Sequence, residues 1–298
     1  MNRTLLIIAI SLVAVGVIVG AVGLWMFPRG AALSERERVR VEFGAADIQT
    51  IDAGCSWANV EVRAIEGDAI ALSYMDGGEW TVEEENGALT IRVRTLSWSL
   101  WNLFRPLAHE DTTLWIGIPA SFSGDMRIGT ASGNVAIAAD AAPEGEFDAA
   151  TASSFPALNG VEVTTASGGI RARDLSLANF SATSASGNIR LEGVRAGQAH
   201  ASSVSGTVAL TAVEADSVRA KSVSGDISLD AVAPGSALEA GSTSGSIRGS
   251  VAAREADAAI SASSVSGNVR VPRGADGGKV TLKFKTVSGN IDVSLLEP

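Results

Sequence analysis

From Met126 to the C-terminus, apolar and polar side chains alternate with a period of two, which is the pattern of half-buried β-strands. Phe180, Ala182, Ser184 and Ser186, followed by Ile189 and Leu191, share one side. The same register groups Val218, Ala220, Ser222, Ser224, Ile227 and Leu229, and again Val280, Leu282, Phe284, Thr286, Ser288, Ile291 and Val293. The opposite parity would bury Arg219 with Lys221, or Lys283 with Lys285, at a prohibitive cost in lost solvation. Charge therefore sets the inward face, and the serines and threonines beside each turn are expected to face inward with it.

A serine–glycine pair interrupts the alternation at Ser132-Gly133, Ser167-Gly168, Ser186-Gly187, Ser205-Gly206, Ser224-Gly225, Ser244-Gly245, Ser266-Gly267 and Ser288-Gly289. From Ser167 the steps are 19, 19, 19, 20, 22 and 22 residues; the first gap is 35 and holds a degenerate copy at Ser153-Ser154. A period of about 20 residues with strand-type sequence predicts a parallel β-coil with one repeat per turn. Glycine at the corner is expected to supply the φ values of a tight arc. The hydroxyls, repeated at every rung, read as a building rule, since a catalytic serine needs only one special environment.

Upstream the same design is degenerate. Ile51, Ala53, Cys55, Trp57, Ala58, Asn59, Val60 and Val62 align with Met126, Ile128, Thr130, Ser132, Gly133, Asn134, Val135 and Ile137, which places Cys55 inward. Strands are expected around 70–74, 80–84, 89–93 and 114–118, with turns at Asp76-Gly77-Gly78 and Asn86-Gly87. The C-terminal rung ends in 294–298 with no evident cap, so end-to-end association is expected there.

Leu5 to Phe27 is an almost unbroken apolar run that would span about 34 Å as a helix, long enough for a single transmembrane pass. Phe27-Pro28-Arg29 offers no small-x-small site for signal cleavage, so an uncleaved anchor is preferred. Counting Arg29, Arg36, Arg38 and Arg40 alone would put the large domain in the cytoplasm, whereas a short tail with the single Arg3 suits a signal-anchor and export. The expected fold class is thus all-β, a single-stranded parallel β-solenoid of ~20-residue rungs preceded by one N-terminal transmembrane helix. The expected organisation is an anchor over 1–29, a linker over 30–44, an irregular β section or cap over 45–125, and regular repeats over 126–298.

These copies, with the degenerate first rung and the strand Leu114 to Ile118 before Pro119, resemble a bacterial β-strand-repeat family of inferred adhesins, a domain of unknown function. The resemblance spans roughly 45–298. It implies an exported, non-catalytic protein and offers no catalytic residues to transfer.

The net charge of −10 disfavours nucleic acid as a partner, and Cys55, the only cysteine, rules out an intramolecular disulfide and a thiolate metal cluster. His109 and His200 lie in different sections, the outward column after each corner glycine holds one carboxylate, Asp226, and no phosphate-loop or calcium-repeat motif occurs. No enzyme, metal or cofactor is expected. Two features read as an interaction surface: an aromatic segment with Trp98, Trp101 and Phe104, which reads equally as a plug over the coil end, and an outward stripe of Val204, Val223, Val265 and Val287. The expected partners are the membrane, through residues 5–27, and a protein, a glycan or a second copy. Two readings follow: a membrane-anchored rod, its large domain extracytoplasmic, for adhesion or envelope protein interaction; or a self-assembling scaffold on the cytoplasmic side.

Overall fold

The computed structural model describes residues 38–75, 79–94, 113–138 and 154–297. Residues Arg38–Pro298 gather into one compact unit. In its regular part each turn contributes one strand to each of two facing walls. The first wall stacks β8 (Asp125–Thr130), β10 (Leu158–Thr165), β12 (Ser176–Ser184), β14 (Arg195–Ser203) and β16 (Glu214–Ser222), all parallel and in register. The second stacks β9 (Val135–Ala138), β11 (Ile170–Arg173), β13 (Ile189–Glu192) and β15 (Val208–Thr211). The long strand β17 (Ile227–Ser242) runs from the second wall back to the first. Between the walls lie Phe180, Ala182, Ile189, Leu191, Val218 and Ile227, all essentially inaccessible to solvent.

One serine or threonine per rung faces inward, and it bridges two turns. Ser203 Oγ accepts the Gly206 N–H at 2.9 Å and donates to the Gly187 carbonyl of the adjoining rung at 2.9 Å. Ser184, Ser222 and Ser242 repeat the pattern. The corner serine two residues later is exposed, against expectation, as at Ser186, Ser205 and Ser224. The reason for glycine also differs. None of the corner glycines has a positive φ. A Cβ at Gly206 would collide with the Gly187 carbonyl oxygen, and one at Gly225 with that of Gly206, so the residue is required for close approach. Left-handed backbone occurs at the opposite corner, at Asp174, Gly193, Ala212 and Ala231.

The coil does not follow chain order at its ends. The rung of β2 (Thr50–Cys55) and β3 (Asn59–Ile65) stacks on β8 and β9, pairing Ile51 with Met126 and Cys55 with Thr130. On its other side it meets later chain, β6 (Ala88–Arg94) and β7 (Thr113–Pro119). Antiparallel strands close this end: β5 (Glu79–Glu85) on β6, and β4 (Ala69–Met75) on β7 followed by β1 (Arg38–Gly44). Charges from Arg38, Arg40 and Glu42 on β1, and Glu83, Glu84 and Glu85 on β5, mark both edges as unsuited to further pairing.

At the far end β21 (Val280–Thr286) inserts between β17 and β19 (Ala258–Ser264), and β22 (Ile291–Leu296) between β18 (Ile247–Ala252) and β20 (Val269–Arg270). Core volume explains the exchange. The later rung brings Leu282, Phe284 and Ile291, all buried, whereas β19 reads AAISASS and its Ile260 and Ala262 are only partly buried. The rung with larger apolar side chains takes the interior.

Several expectations are corrected. The C-terminal rung is internal, and among the described residues β19 and β20 are the end strands. β8 pairs directly with β10 and β9 with β11, and Ser153 of the degenerate copy lies outside the described residues. The transmembrane part of the fold class, and the single-pass membrane localisation with it, are corrected as well. Among the described residues no helix is long and apolar enough to cross a membrane. The described helices, Ala45–Asp47 and Glu255–Asp257, are three-residue 3-10 turns, whereas a crossing needs about 20 residues. Residues 5–27, which carried that expectation, lie outside the described residues.

Two thermal-melt comparisons test this architecture. Gly206→Ala should cost about 1–3 kcal/mol from forced displacement of the adjoining rung. Gly129→Ala, where a Cβ meets nothing within 4 Å, should stay within about 0.5 kcal/mol; equal losses would remove the close-approach explanation. Ser222→Lys should cost about 3 kcal/mol or more by burying an unpaired charge, while Lys221→Ser, at an exposed ion pair, should cost no more than about 1 kcal/mol.

Candidate interaction faces

The strict register of the first wall lines up its outward side chains across rungs. One row reads Asp52, Arg127, Glu162, Ser181, His200, Arg219, Glu239, Lys283 and Ser261. Its charges alternate in pairs. Arg127 lies 3.8 Å from Glu162, Arg219 2.9 Å from Glu239, and Lys221 from the neighbouring row 3.4 Å from Glu239. Asp52 is gripped by Arg92 at 2.6 Å, whose hydrogen bond holds that carboxyl below its usual range.

The next row reads Asp125, Gly160, Asn179, Gln198 and Ser217. Gly160 has no side chain, and the two rows line a shallow open groove of about 570 Å³ that includes Ser181 and His200. Partial burial, and then the positive charges of Arg219 and Lys221, lower the His200 pKa, so its imidazole is neutral at pH 7. The groove offers amides, hydroxyls and charges, the carboxylates of Asp125 and Glu162 among them. Among the described residues no cluster of three or more His, Cys, Asp or Glu could hold a metal ion. Such a surface suits hydrogen bonding to an extended polar partner.

On the second wall the column after each corner glycine caps backbone. Asn134 N–H donates to Asn59 Oδ1, Gly169 N–H to Asn134 Oδ1, Thr207 N–H to Asn188 Oδ1 and Ser246 N–H to Asp226 Oδ1, all at 2.7–2.8 Å. The single carboxylate of that column is thus one member of a structural relay.

A model of the Toastrack DUF4097 family matches residues 48–294. The chain belongs to this family. Its fold is similar to several crystal structures. An inferred adhesin from Bacteroides fragilis is 13% identical, covering 87% of this chain and 97% of that one at a TM-score of 0.48. An inferred lipid-binding protein from Parabacteroides distasonis is 17% identical, with coverages of 88% and 97% and a TM-score of 0.45. An inferred adhesin from Parabacteroides merdae is 11% identical, with coverages of 88% and 97% and a TM-score of 0.42. No curated protein matches the chain.

The site residues expected from the Toastrack sequence divide in two. Trp98, Trp101 and Phe104 lie outside the described residues. Val204, Val223, Val265 and Val287 are all exposed at the serine–glycine corner, with Val265 the most at 78%. Backbone bonds order them in space as Val204, Val223, Thr243, Val287 and Val265, so the rung exchange makes Val287 and Val265 neighbours in reverse chain order. Sequence reasoning missed Trp57, which is 69% exposed at the corner where the repeats carry serine. It also missed the ladder of the first wall, which becomes visible only when every rung is laid in register. Cys55 is buried, and burial pushes its thiol up to about 12. It therefore behaves as an inert apolar group at neutral pH.

The lowered His200 pKa has a defined consequence. The unfolded chain binds this proton more readily than the folded one, so folding stability falls as pH drops below about 6.5 toward the folded value. Thermal melts from about pH 7 to about pH 5 should fall less steeply for His200→Gln than for wild type. Superimposable profiles would show that His200 titrates as if solvated.

Proposed function

We propose that this Toastrack chain is a non-catalytic β-repeat protein that presents an extended polar surface for adhesion or for interaction with envelope proteins. The observation that carries this reading is the first-wall ladder with its groove. Donors and acceptors repeat there about every 4.8 Å over successive rungs, and the charges of Arg127, Glu162, Arg219 and Glu239 already have partners, so the face is organised to bind rather than to react. The partner it fits is a glycan or an extended protein segment, whose polar groups recur on a comparable spacing.

The test is binding of the labelled full chain to whole bacterial cells, before and after treatment of the cells with protease or with periodate. Saturable binding that falls about tenfold or more in N179A/Q198A/R219A is expected. Loss on periodate treatment assigns the partner as glycan, and loss on protease treatment as protein. Equal binding by the variant would sink the proposal.

A second reading, self-assembly, is favoured by one observation. Among the described residues β19 pairs only with β21 and β20 only with β22, and β19 carries no charge, unlike the edges at the other end. Ala275 N–H bonds to Ala258 O at 2.8 Å and covers only the start of that edge. Sedimentation velocity across a wide concentration range should then show reversible association, and a strictly monomeric chain would exclude it.

A further inference from the structure

The second wall carries a groove of different character. Arg171 and Arg190 are register partners on β11 and β13, both pointing outward and exposed. Their row is flanked by Ala136 on one side and Ala209 on the other, so no longer side chain screens them. Gly169 leaves a notch between Asn134 and Asn188 in the adjoining column, and together these residues line an open groove of about 570 Å³. Like charges on neighbouring strands repel, and an anion bound between the two would relieve that repulsion.

Every polar side chain that contributes charge or an amide here is a donor. Asn134 Oδ1 and Asn188 Oδ1 are each used to accept a backbone N–H, at 2.8 Å, which leaves the Nδ2 amino groups as their free ends. The guanidinium groups have no acceptor capacity at all. No carboxylate lines the groove. The nearest in register, Glu192, is held by Arg173 at 3.0 Å and stands 3.8 Å from Arg190.

We propose that Arg171 and Arg190, with Asn134 and Asn188, form a binding site for an oxyanion group: a carboxylate, sulfate or phosphate. Two guanidinium forks about one rung apart, ~4.8 Å, match the bidentate recognition of such groups, and the flanking amides add donors without adding charge. The site lies on the opposite wall from the ladder, so it stands whether or not that ladder binds a partner.

The experiment is a titration of the full chain at low ionic strength with three probes in parallel: sodium sulfate, inorganic phosphate and an oligogalacturonate. Saturable shifts of the Arg171 and Arg190 side-chain Nε–H resonances are expected, with affinity lowered about tenfold or more in R171Q/R190Q and by added salt. R248Q, on the same wall but outside the groove, should bind as wild type. The probe bound most tightly identifies the source of the oxyanion. Removing the like-charge pair should leave the melting temperature unchanged or raised, so loss of binding is separable from loss of fold. Undiminished binding by R171Q/R190Q, or no saturable binding of any probe, would overturn the assignment.

Discussion

A single hydroxyl per rung, placed between the glycine N–H of its own corner and the glycine carbonyl of the next, is the interaction on which the stack depends. A tight corner turns backbone groups inward, where water cannot reach them, and a buried unpaired amide or carbonyl costs about 1–3 kcal/mol. Serine and threonine answer both needs at once, because one hydroxyl donates and accepts. The close approach that lets Ser203 reach the Gly187 carbonyl also leaves no room for a Cβ at Gly206. Hydroxyl and glycine are therefore one device. At the degenerate first rung Cys55 and Ala58 stand in these two columns. There the Thr130 hydroxyl of the adjoining rung still spans 3.4 Å to the Ala58 carbonyl.

The same device explains why the rungs near the C-terminus can exchange places. Each corner presents the same carbonyl and accepts the same hydroxyl, so Thr286 bonds to the Gly245 carbonyl and Ser264 to that of Gly289 without regard to chain order. With the corners equivalent, core volume decides which rung is interior. Phe284 and Leu282 outweigh Ile260 and Ala262, and the rung nearer in sequence is displaced to the end. The molecule thus gains the uncharged edge of β19 at one end and keeps charged, antiparallel edges at the other.

Because pairing is parallel and in register, each outward position becomes a column of neighbours spaced by one rung. On the first wall this turns scattered charges into an alternating ladder whose groups satisfy one another, a surface for hydrogen bonding. On the second wall it brings Arg171 beside Arg190 among small neighbours, with Glu192, shared with Arg173, as the carboxylate near Arg190. Two chemically distinct faces arise from one repeat, because the walls draw on different halves of each rung.

The sequence by itself determined the strand register, the inward face and the corner positions. Those follow from local rules: period-two alternation, the cost of burying Arg219 or Lys221, and the recurrence of serine before glycine. The alignment of Ile51 and Val60 with Met126 and Val135 was legible for the same reason. The order of the rungs was not, since interchangeable corners carry no address in the chain, and only competition for core volume fixes it. The exposure of Ser186 and the close-approach role of Gly187 were equally hidden, because both depend on the distance to the neighbouring rung. The two faces were hidden too: His200, Arg171 and Arg190 are ordinary polar residues in sequence, and they acquire meaning from neighbours 19 residues away. Alternation along one strand is a property of the chain, whereas adjacency across rungs is a property of the stack.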